Sequence, residues 1–237
     1  MGRFPNIAAA KAATGAAKGK LYGMYAKEIY LSAKNGGVTP EGNPSLKRLI
    51  EKAKKDQVPA DIIKRAIDKV NSGVGENYET LTYEIFGPAG STLMVECLTD
   101  NVNRSVSDLR AVINKCHVKM GAMGSVSYMY DNLCTVGFKG LTEEEVMDAL
   151  ISNDVDFVDL ESEDGHISIY GQPSDLYKIK EAITSVKSDI DFDIDEISQL
   201  PKERITLTGE DLEIFNKLLT LLNEVDDVQN VYHNVNL

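Results

Sequence analysis

The sequence lacks several features that whole classes of protein require. It contains no tryptophan, and aromatic residues make up only 7% of its 237 residues, so a site built on many stacked aromatic rings is excluded. No apolar run approaches the roughly 20 residues that a helix needs to cross a bilayer. The N-terminus has no apolar segment typical of a secretory signal. No acidic residue precedes Glu28, as in a transit peptide, but that stretch has one Arg and no Ser, which favours a native N-terminus. We therefore expect a cytoplasmic protein.

Cysteine and the common catalytic motifs are also scarce or missing. The three cysteines are odd in number and widely spaced, which excludes a disulfide framework, and no CxxC pair indicates a zinc ribbon. The motifs GxxxxGK[ST], GxSxG and HExxH are absent. The alternating aspartates of residues 189–195 lack the Gly and Glu that a calcium loop requires. We expect no metal, no cofactor and no enzymatic activity.

Acidic residues outnumber basic ones, but the two kinds of charge are unevenly distributed along the chain. The net charge of the chain is −12. Residues 1–75 hold 14 Lys and Arg against 6 Asp and Glu, a net charge of +8, whereas residues 76–237 hold 11 against 31, a net charge of −20. A basic module indicates nucleic-acid binding, because Lys and Arg attract phosphates and release condensed counterions. The acidic body would repel nucleic acid and confine the contact to the basic module.

The basic part of the chain is predicted to be helical. An alanine-rich helix over 8–17 is followed by a helix over about 20–34. Asn43-Pro44 has the pattern of an N-cap followed by a first-turn proline, which predicts a third helix. Pro59 begins a fourth, and residues 71–75, with two glycines, are predicted to form a linker.

We predict that the exterior of these helices binds nucleic acid. Lys20, Lys27 and Lys34 recur every seven residues opposite an apolar face, so they should remain exposed once that face packs. Without zinc-finger or zipper spacing, sequence-specific reading of bases is not indicated, and the alternative to phosphate binding is a merely solvated helix face. The candidate binding residues are Lys11, Lys18, Lys20, Lys27, Lys34, Lys47, Arg48, Lys54, Lys55, Lys64 and Arg65.

Beyond residue 75 the apolar residues alternate as they do in strands. Segments 82–86 and 92–98 flank a turn-rich loop, which predicts a hairpin. A helix is predicted over about 103–115 and a strand over 125–130. Residues 134–197 show the βαββαβ order of a ferredoxin-like domain. A tail of strand 205–207, a helix and a final strand is too small to fold alone.

The fold class predicted from these elements is α+β, with a basic helical domain and two α/β domains, one inserted in the other. The tail is expected to complete the domain that the hairpin begins. The predicted domains are residues 1–75, residues 76–131 with 202–237, and the inserted residues 132–201.

A polar turn after the second hairpin strand is a further candidate site. Thr99, Asp100 and Asn101 either cap the following helix or form a polar site facing a cleft, for a phosphate or a partner. Arg104 favours the cleft, because a cation in the first helical turn opposes the helix dipole, although it can pair with Asp100 or Asp108. We expect Arg104→Ala to impair regulation and to leave the fold intact.

Several blocks along the whole chain resemble one protein family. They are residues 6–17, 26–29, 33–37, 43–44, 83–90, 96–104 and 124–128. The chain resembles the YebC/PmpR family, and its start, without the usual His and Trp, is similar to the YeeN-type subgroup. The resemblance implies a helical module with two α/β modules around a cleft, and a probable transcriptional regulator that binds DNA. Because mitochondrial relatives activate translation and bacterial ones are tied to ribosomes, the alternative is a translation factor that binds rRNA.

Overall fold

The protein combines helices with two β-sheets, as shown by a computed structural model that describes residues 15–72 and 75–237. In chain order the elements are α1 (Gly15–Gly36), α2 (Pro44–Lys55), α3 (Ala60–Asn71), β1 (Glu79–Phe86), β2 (Thr92–Thr99), α4 (Val102–Lys115), β3 (Lys119–Met120), β4 (Tyr130–Lys139), α5 (Glu143–Ser152), β5 (Asp159–Glu163), β6 (His166–Gly171), α6 (Leu176–Val186), β7 (Phe192–Pro201), α7 (Gly209–Glu224) and β8 (Val228–His233). The predicted α+β class is confirmed.

The chain divides into two compact units. The first unit contains the described residues up to 123 together with 207–231, and the second contains 124–206 and 232–237. The predicted boundaries of three separate domains stay a prediction.

The three N-terminal helices of the first unit share a small apolar core. Tyr25 and Ile29 of α1 pack with Leu46 and Ala53 of α2 and with Ile63 of α3. The Asn43 side chain accepts a hydrogen bond from the Leu46 amide at 3.1 Å, so the predicted N-cap of α2 is confirmed. The break predicted between residues 17 and 20 is wrong, because α1 runs without interruption from Gly15. The rest of the predicted helix 8–17 lies outside the described residues.

The first sheet has the strand order β3-β1-β2-β8. Strands β1 and β2 are antiparallel and pair from Glu79 with Thr99 to Phe86 with Thr92, so the predicted hairpin is confirmed. Helix α4 buries Leu109 and Ile113, as its predicted apolar spacing requires. Strand β8, from the tail of the chain, lies beside β2, which places residues of the tail next to the end of the hairpin.

The second sheet has the order β5-β6-β4-β7, with every pair antiparallel. Numbered within the βαββαβ run, this order is 2-3-1-4, and the predicted ferredoxin-like arrangement is confirmed. Its core contains Phe138, Leu150, Ile167 and Ile179, contributed by both strands and helices.

Two short predicted strands are wrong. Of the predicted strand 125–130, residues 125–129 form turns, because the Met129 amide donates back to the Val126 carbonyl at 2.9 Å, and β4 begins only at Tyr130. At 205–207 the chain makes a single bridge between Ile205 and Val235. Alternating apolar residues predict extended backbone, but they do not determine whether a neighbouring strand is available for pairing.

Candidate nucleic-acid interface

The outer face of α2 concentrates positive charge. Its twelve residues include Lys47, Arg48, Lys52, Lys54 and Lys55 against the single acid Glu51. Leu46 and Ala53 are buried on the opposite face. Because Lys47 and Lys54 are seven residues apart, they lie on one side of the helix, and both are exposed.

Only some of these predicted binding residues have no intramolecular partner. Lys47, Lys54 and Lys64 of α3 are exposed, and none forms a side-chain hydrogen bond or ion pair with a described residue. We call these three side chains the open lysines. Arg48 and Lys55 interact with other groups of the chain, and Arg65 pairs with Asp61 one turn away. The open lysines are therefore the cations of α2 and α3 that are most available to a phosphate.

The predicted lysine stripe on α1 instead makes intramolecular contacts. Lys20 Nζ donates to the carbonyl oxygens of Asn223 and Val225, the latter at 2.7 Å, just at the end of α7. Lys34 Nζ donates to the Glu76 carbonyl oxygen at 3.1 Å and to Asn77 Oδ1 at 2.9 Å.

Lys27 makes the most extensive contacts of the stripe. Its ammonium group lies 3.0 Å from Asp227 Oδ1 and also donates to the carbonyl oxygens of Leu98 and Asp226. The expected exposure is wrong for Lys20 and Lys27, which are half-buried, because α1 has two packed faces. Burial lowers the pKa of Lys20, and the nearby Asp226 opposes that shift.

Two predicted binding residues, Lys18 and Lys11, lie near the start of the chain. Lys18 is exposed near the start of α1. Lys11 lies outside the described residues.

The polar turn before α4 surrounds a buried carboxylate that the sequence did not reveal. Asp227 is 2% exposed. Thr99 Oγ1 donates to its Oδ2 at 3.0 Å and Ser105 Oγ donates to the same atom at 2.9 Å. Arg104 donates to Asp227 through Nε at 3.1 Å and through Nη2 at 2.9 Å. With Lys27, four side chains from three parts of the chain converge on one carboxylate.

These contacts determine the charge of Asp227. Burial by itself raises the pKa of this carboxyl, but the hydrogen bonds from Lys27, Arg104, Ser105 and Thr99 together bring it below its usual value. The carboxylate is thus ionised and holds α1, the start of α4 and the start of β8 together. Burial of the Cys97 thiol, together with the nearby charge of Asp227, raises the pKa of that thiol to about 12.

The four residues of the predicted cleft site therefore have structural contacts. Asn101 Oδ1 accepts from the Arg104 amide at 3.1 Å and caps α4, as the capping alternative predicts. Arg104 pairs with Asp100 at 2.8 Å, one of the two expected partners. Thr99 is fully buried. A ligand-binding role for Thr99, Asp100, Asn101 and Arg104 stays a prediction.

The sequence contained one signal of the missed partner. A cation in the first turn of α4 is unfavourable beside the helix dipole, so Arg104 requires a nearby anion. Asp100 satisfies only part of that requirement. Asp227 lies 123 residues further along the chain, and no local pattern joins the two positions.

A groove of about 520 Å³ separates part of α1 and the start of α2 from β2 and β8. Arg48 lines it, together with the acids Glu28 and Glu96. Because this lining carries both signs of charge, the groove does not extend the positive face of α2.

Within 15–72 and 75–237, no group of three or more His, Cys, Asp and Glu residues is suited to a metal ion. In the same residues, no helix is both long and apolar enough to cross a membrane. All three cysteines are buried free thiols.

Two family descriptions match almost the whole chain. Residues 2–73 match the TACO1/YebC protein N-terminal domain. Residues 78–235 match the TACO1/YebC second and third domain. The chain belongs to the TACO1/YebC family. The family resemblance inferred from the residue blocks is thereby confirmed.

Similar proteins match this chain over nearly their whole length, and one of them has a solved structure. A probable transcriptional regulatory protein of Vibrio parahaemolyticus is 47% identical over 238 residues, covering 100% of both chains. One of Marinobacter nauticus is 45% identical and covers 100% of this chain and 99% of its own. The crystal structure of a conserved hypothetical protein from Aquifex aeolicus is 33% identical, with a TM-score of 0.80, and covers 99% of this chain and 97% of its own.

Proposed function

We propose that this TACO1/YebC protein is a regulator that binds nucleic acid through the basic faces of α2 and α3. Its relatives are named probable transcriptional regulatory proteins, which favours DNA as the target and transcription as the process. The single observation that carries the proposal is the set of open lysines, Lys47, Lys54 and Lys64, which are exposed and have no partner among the described residues.

The chemistry of these side chains favours phosphate binding. An unpaired ammonium group has three donors and does not have to break an ion pair before it meets a phosphate. Such contacts position a protein on nucleic acid without reading bases. The net charge of −20 carried by residues 76–237 repels the polymer over most of that part of the chain and favours contact at the helices.

The proposed role is binding rather than catalysis. The sequence contains none of the motifs GxxxxGK[ST], GxSxG and HExxH. The name of the relatives describes regulation. A cytoplasmic location is part of the proposal, because three free thiols suit a reducing compartment.

A salt titration tests the proposed interface. We expect the helix variant, Lys47→Gln with Lys54→Gln and Lys64→Gln, to bind duplex DNA more weakly. Its slope of log affinity against log salt should be smaller by about two to three, because each lost phosphate contact contributes about 0.9. Gln and Lys have similar helix propensity, so the circular dichroism spectrum should be unchanged.

The control variant removes the same charge from the second unit through Lys139→Gln, Lys178→Gln and Lys202→Gln, which are exposed. An equal slope for helix and control variants on duplex DNA would overturn the proposed interface. The same titration on structured rRNA, with sedimentation of ribosomes, tests the alternative target. Stronger binding to rRNA than to DNA would identify the protein as a ribosome-associated translation factor.

A further inference from the structure

A second concentration of positive charge lies within the otherwise acidic part of the chain. Between Asp108 and Asp131 the sequence has no Asp or Glu, but it contains Lys115, His117 and Lys119. All three side chains are exposed and have no hydrogen bond or ion pair with a described residue. Helix α7 adds Lys217, which is also exposed. Of the eleven Lys and Arg beyond residue 75, three are thus collected in one place.

These cations surround a groove of about 390 Å³, which we call the α4–α7 groove. Its volume lies within the range of about 300–1,000 Å³ that is typical of small-molecule sites. Its apolar wall comprises Phe86, Pro88, Val118 and Ile214, all partly buried. No acidic residue lines the groove in the described part of the chain.

Two residues at the edge of the α4–α7 groove have a left-handed backbone conformation. His117 directly follows the C-cap of α4 with φ +54°, where glycine is the residue that adopts the left-handed conformation without cost. Ala89, beside Pro88, has φ +47°. The same conformation follows the C-caps of α2 and α5, at Gln57 and Asp154, so at His117 it ends α4 and turns the chain along the groove.

Lys217 also contributes to the shape of the α4–α7 groove. Its ammonium group donates to the Lys115 carbonyl oxygen at 3.3 Å, which fixes α7 against the end of α4. An ammonium group has three donors, so two remain for a ligand. Lys115 and Lys119 keep all their donors.

We propose that the α4–α7 groove binds one nucleotide unit of a single-stranded nucleic acid. The proposal rests on the proposed function, because it gives the nucleic acid held by the helices a second contact, at an unpaired nucleotide. Lys115, Lys119 and Lys217 hold the phosphate, and the His117 ring supplies a further polar contact. The wall that contains Phe86 and Pro88 receives the base or the ribose, as apolar and aromatic platforms do for unstacked nucleotides.

Adenosine monophosphate is the first probe, added to the full chain and followed by amide NMR shifts. We expect it to shift the amides of Phe86, Gly87 and residues 115–119 in the wild type. The shifts should be lost in the groove variant, Lys115→Gln with Lys119→Gln and Lys217→Gln, and retained in the helix and control variants. Inorganic phosphate should shift the same amides more weakly, because it cannot use the apolar wall.

A single-stranded 12-mer of adenylate is the second probe. The groove variant should reduce the slope of log affinity against log salt by about two, at about 0.7 for each lost phosphate contact on a single strand. The inference is overturned if the groove variant and the control variant have equal slopes on the 12-mer. It is also overturned if adenosine monophosphate does not shift the groove amides of the wild type. Shifts with the monophosphate and an unchanged 12-mer slope would identify a free-nucleotide site and overturn the strand contact.

The two proposals fail in different ways. If the helix variant weakens duplex binding while the groove variant does not change 12-mer binding, the proposed function survives without the second contact. If only the groove variant loses binding to nucleic acid, the groove is the interface and the proposed role of the open lysines is wrong. Urea unfolding of both variants confirms that each is folded before binding is measured.

Discussion

Asp227 shows how one buried charge can join distant parts of a chain. A buried carboxylate is costly unless it is paired and hydrogen-bonded. Here Lys27 and Arg104 supply the positive charge, and two hydroxyl groups satisfy the remaining lone pairs. The turn before α4 is thus explained by stability, without any ligand.

Replacing this carboxylate should destabilise the protein. We expect Asp227→Asn to lower the free energy of unfolding by about 3–5 kcal/mol, the usual cost of breaking a buried ion pair from one side. Arg104→Ala should cost less, since Lys27 remains and the guanidinium is 46% exposed. Urea unfolding measures both, with Asp226→Asn at the exposed neighbour as control. If Arg104→Ala is as stable as the wild type, the contact between Arg104 and Asp227 does not stabilise the fold, as the sequence-based expectation for this variant held.

The same carboxyl predicts a pH dependence of stability. Its pKa is lower in the folded protein than in the unfolded chain. Its contribution is therefore fully present above the unfolded value of about 3.9 and is lost as the pH falls through the lower folded value. We expect the stability gap between wild type and Asp227→Asn to be constant near neutral pH and to close below about pH 4. A gap that stays constant down to pH 2 would contradict the assigned contacts.

At the scale of elements, α1 differs most from its predicted role. Its apolar face packs against α2 and α3, as the period of apolar residues indicated. Its lysine face is occupied as well, because backbone carbonyl oxygens at the end of α7 and in β2 accept hydrogen bonds from Lys20 and Lys27. A helix with two packed faces has little surface left for nucleic acid.

The α1 stripe should thus affect stability more than binding. We expect Lys20→Gln with Lys27→Gln and Lys34→Gln to lower the free energy of unfolding, by about 1.5–3 kcal/mol for each charged hydrogen-bond donor that is half-buried. The slope of affinity against salt should stay near that of the control variant. Unchanged stability together with a flattened slope would restore the stripe as a binding surface. Urea unfolding and the duplex titration provide the two measurements.

At the scale of the whole molecule, the charge difference corresponds to a difference in architecture. Positive charge is concentrated on the short helices at the start, while the ferredoxin-like segment is strongly acidic. Residues 130–201 contain 4 Lys against 18 Asp and Glu, a net charge of −14. This segment also has its own core of Phe138, Leu150, Ile167 and Ile179.

An isolated fragment of residues 130–201 should fold alone. Its sheet contains all four strands, and its apolar core is contributed within the segment. We expect one cooperative urea transition and no binding to duplex DNA or structured RNA, since its charge repels phosphates. The full chain serves as the positive control for binding. A fragment that unfolds without a cooperative transition would show that the segment depends on the rest of the chain.

The sequence by itself determined most of the elements and the class of fold. Proline and asparagine at the start of α2, the turn between β1 and β2, and the βαββαβ order are local signals, set by backbone preferences and by the spacing of apolar residues. The segregation of charge was likewise visible, because it depends only on counting. These features require no knowledge of which distant residues meet.

Only the tertiary structure decided which cations are available. Lys27 and Lys47 look alike in the sequence, since both are helical lysines opposite apolar residues. Lys27 meets Asp227, 200 residues away, whereas Lys47 meets no described partner. A helical pattern identifies the face that is apolar, but whether the polar face meets water or another polar surface depends on long-range packing. The α4–α7 groove has the same origin, because Lys115 and Lys217 are brought together by α4 and α7 and not by any spacing in the chain.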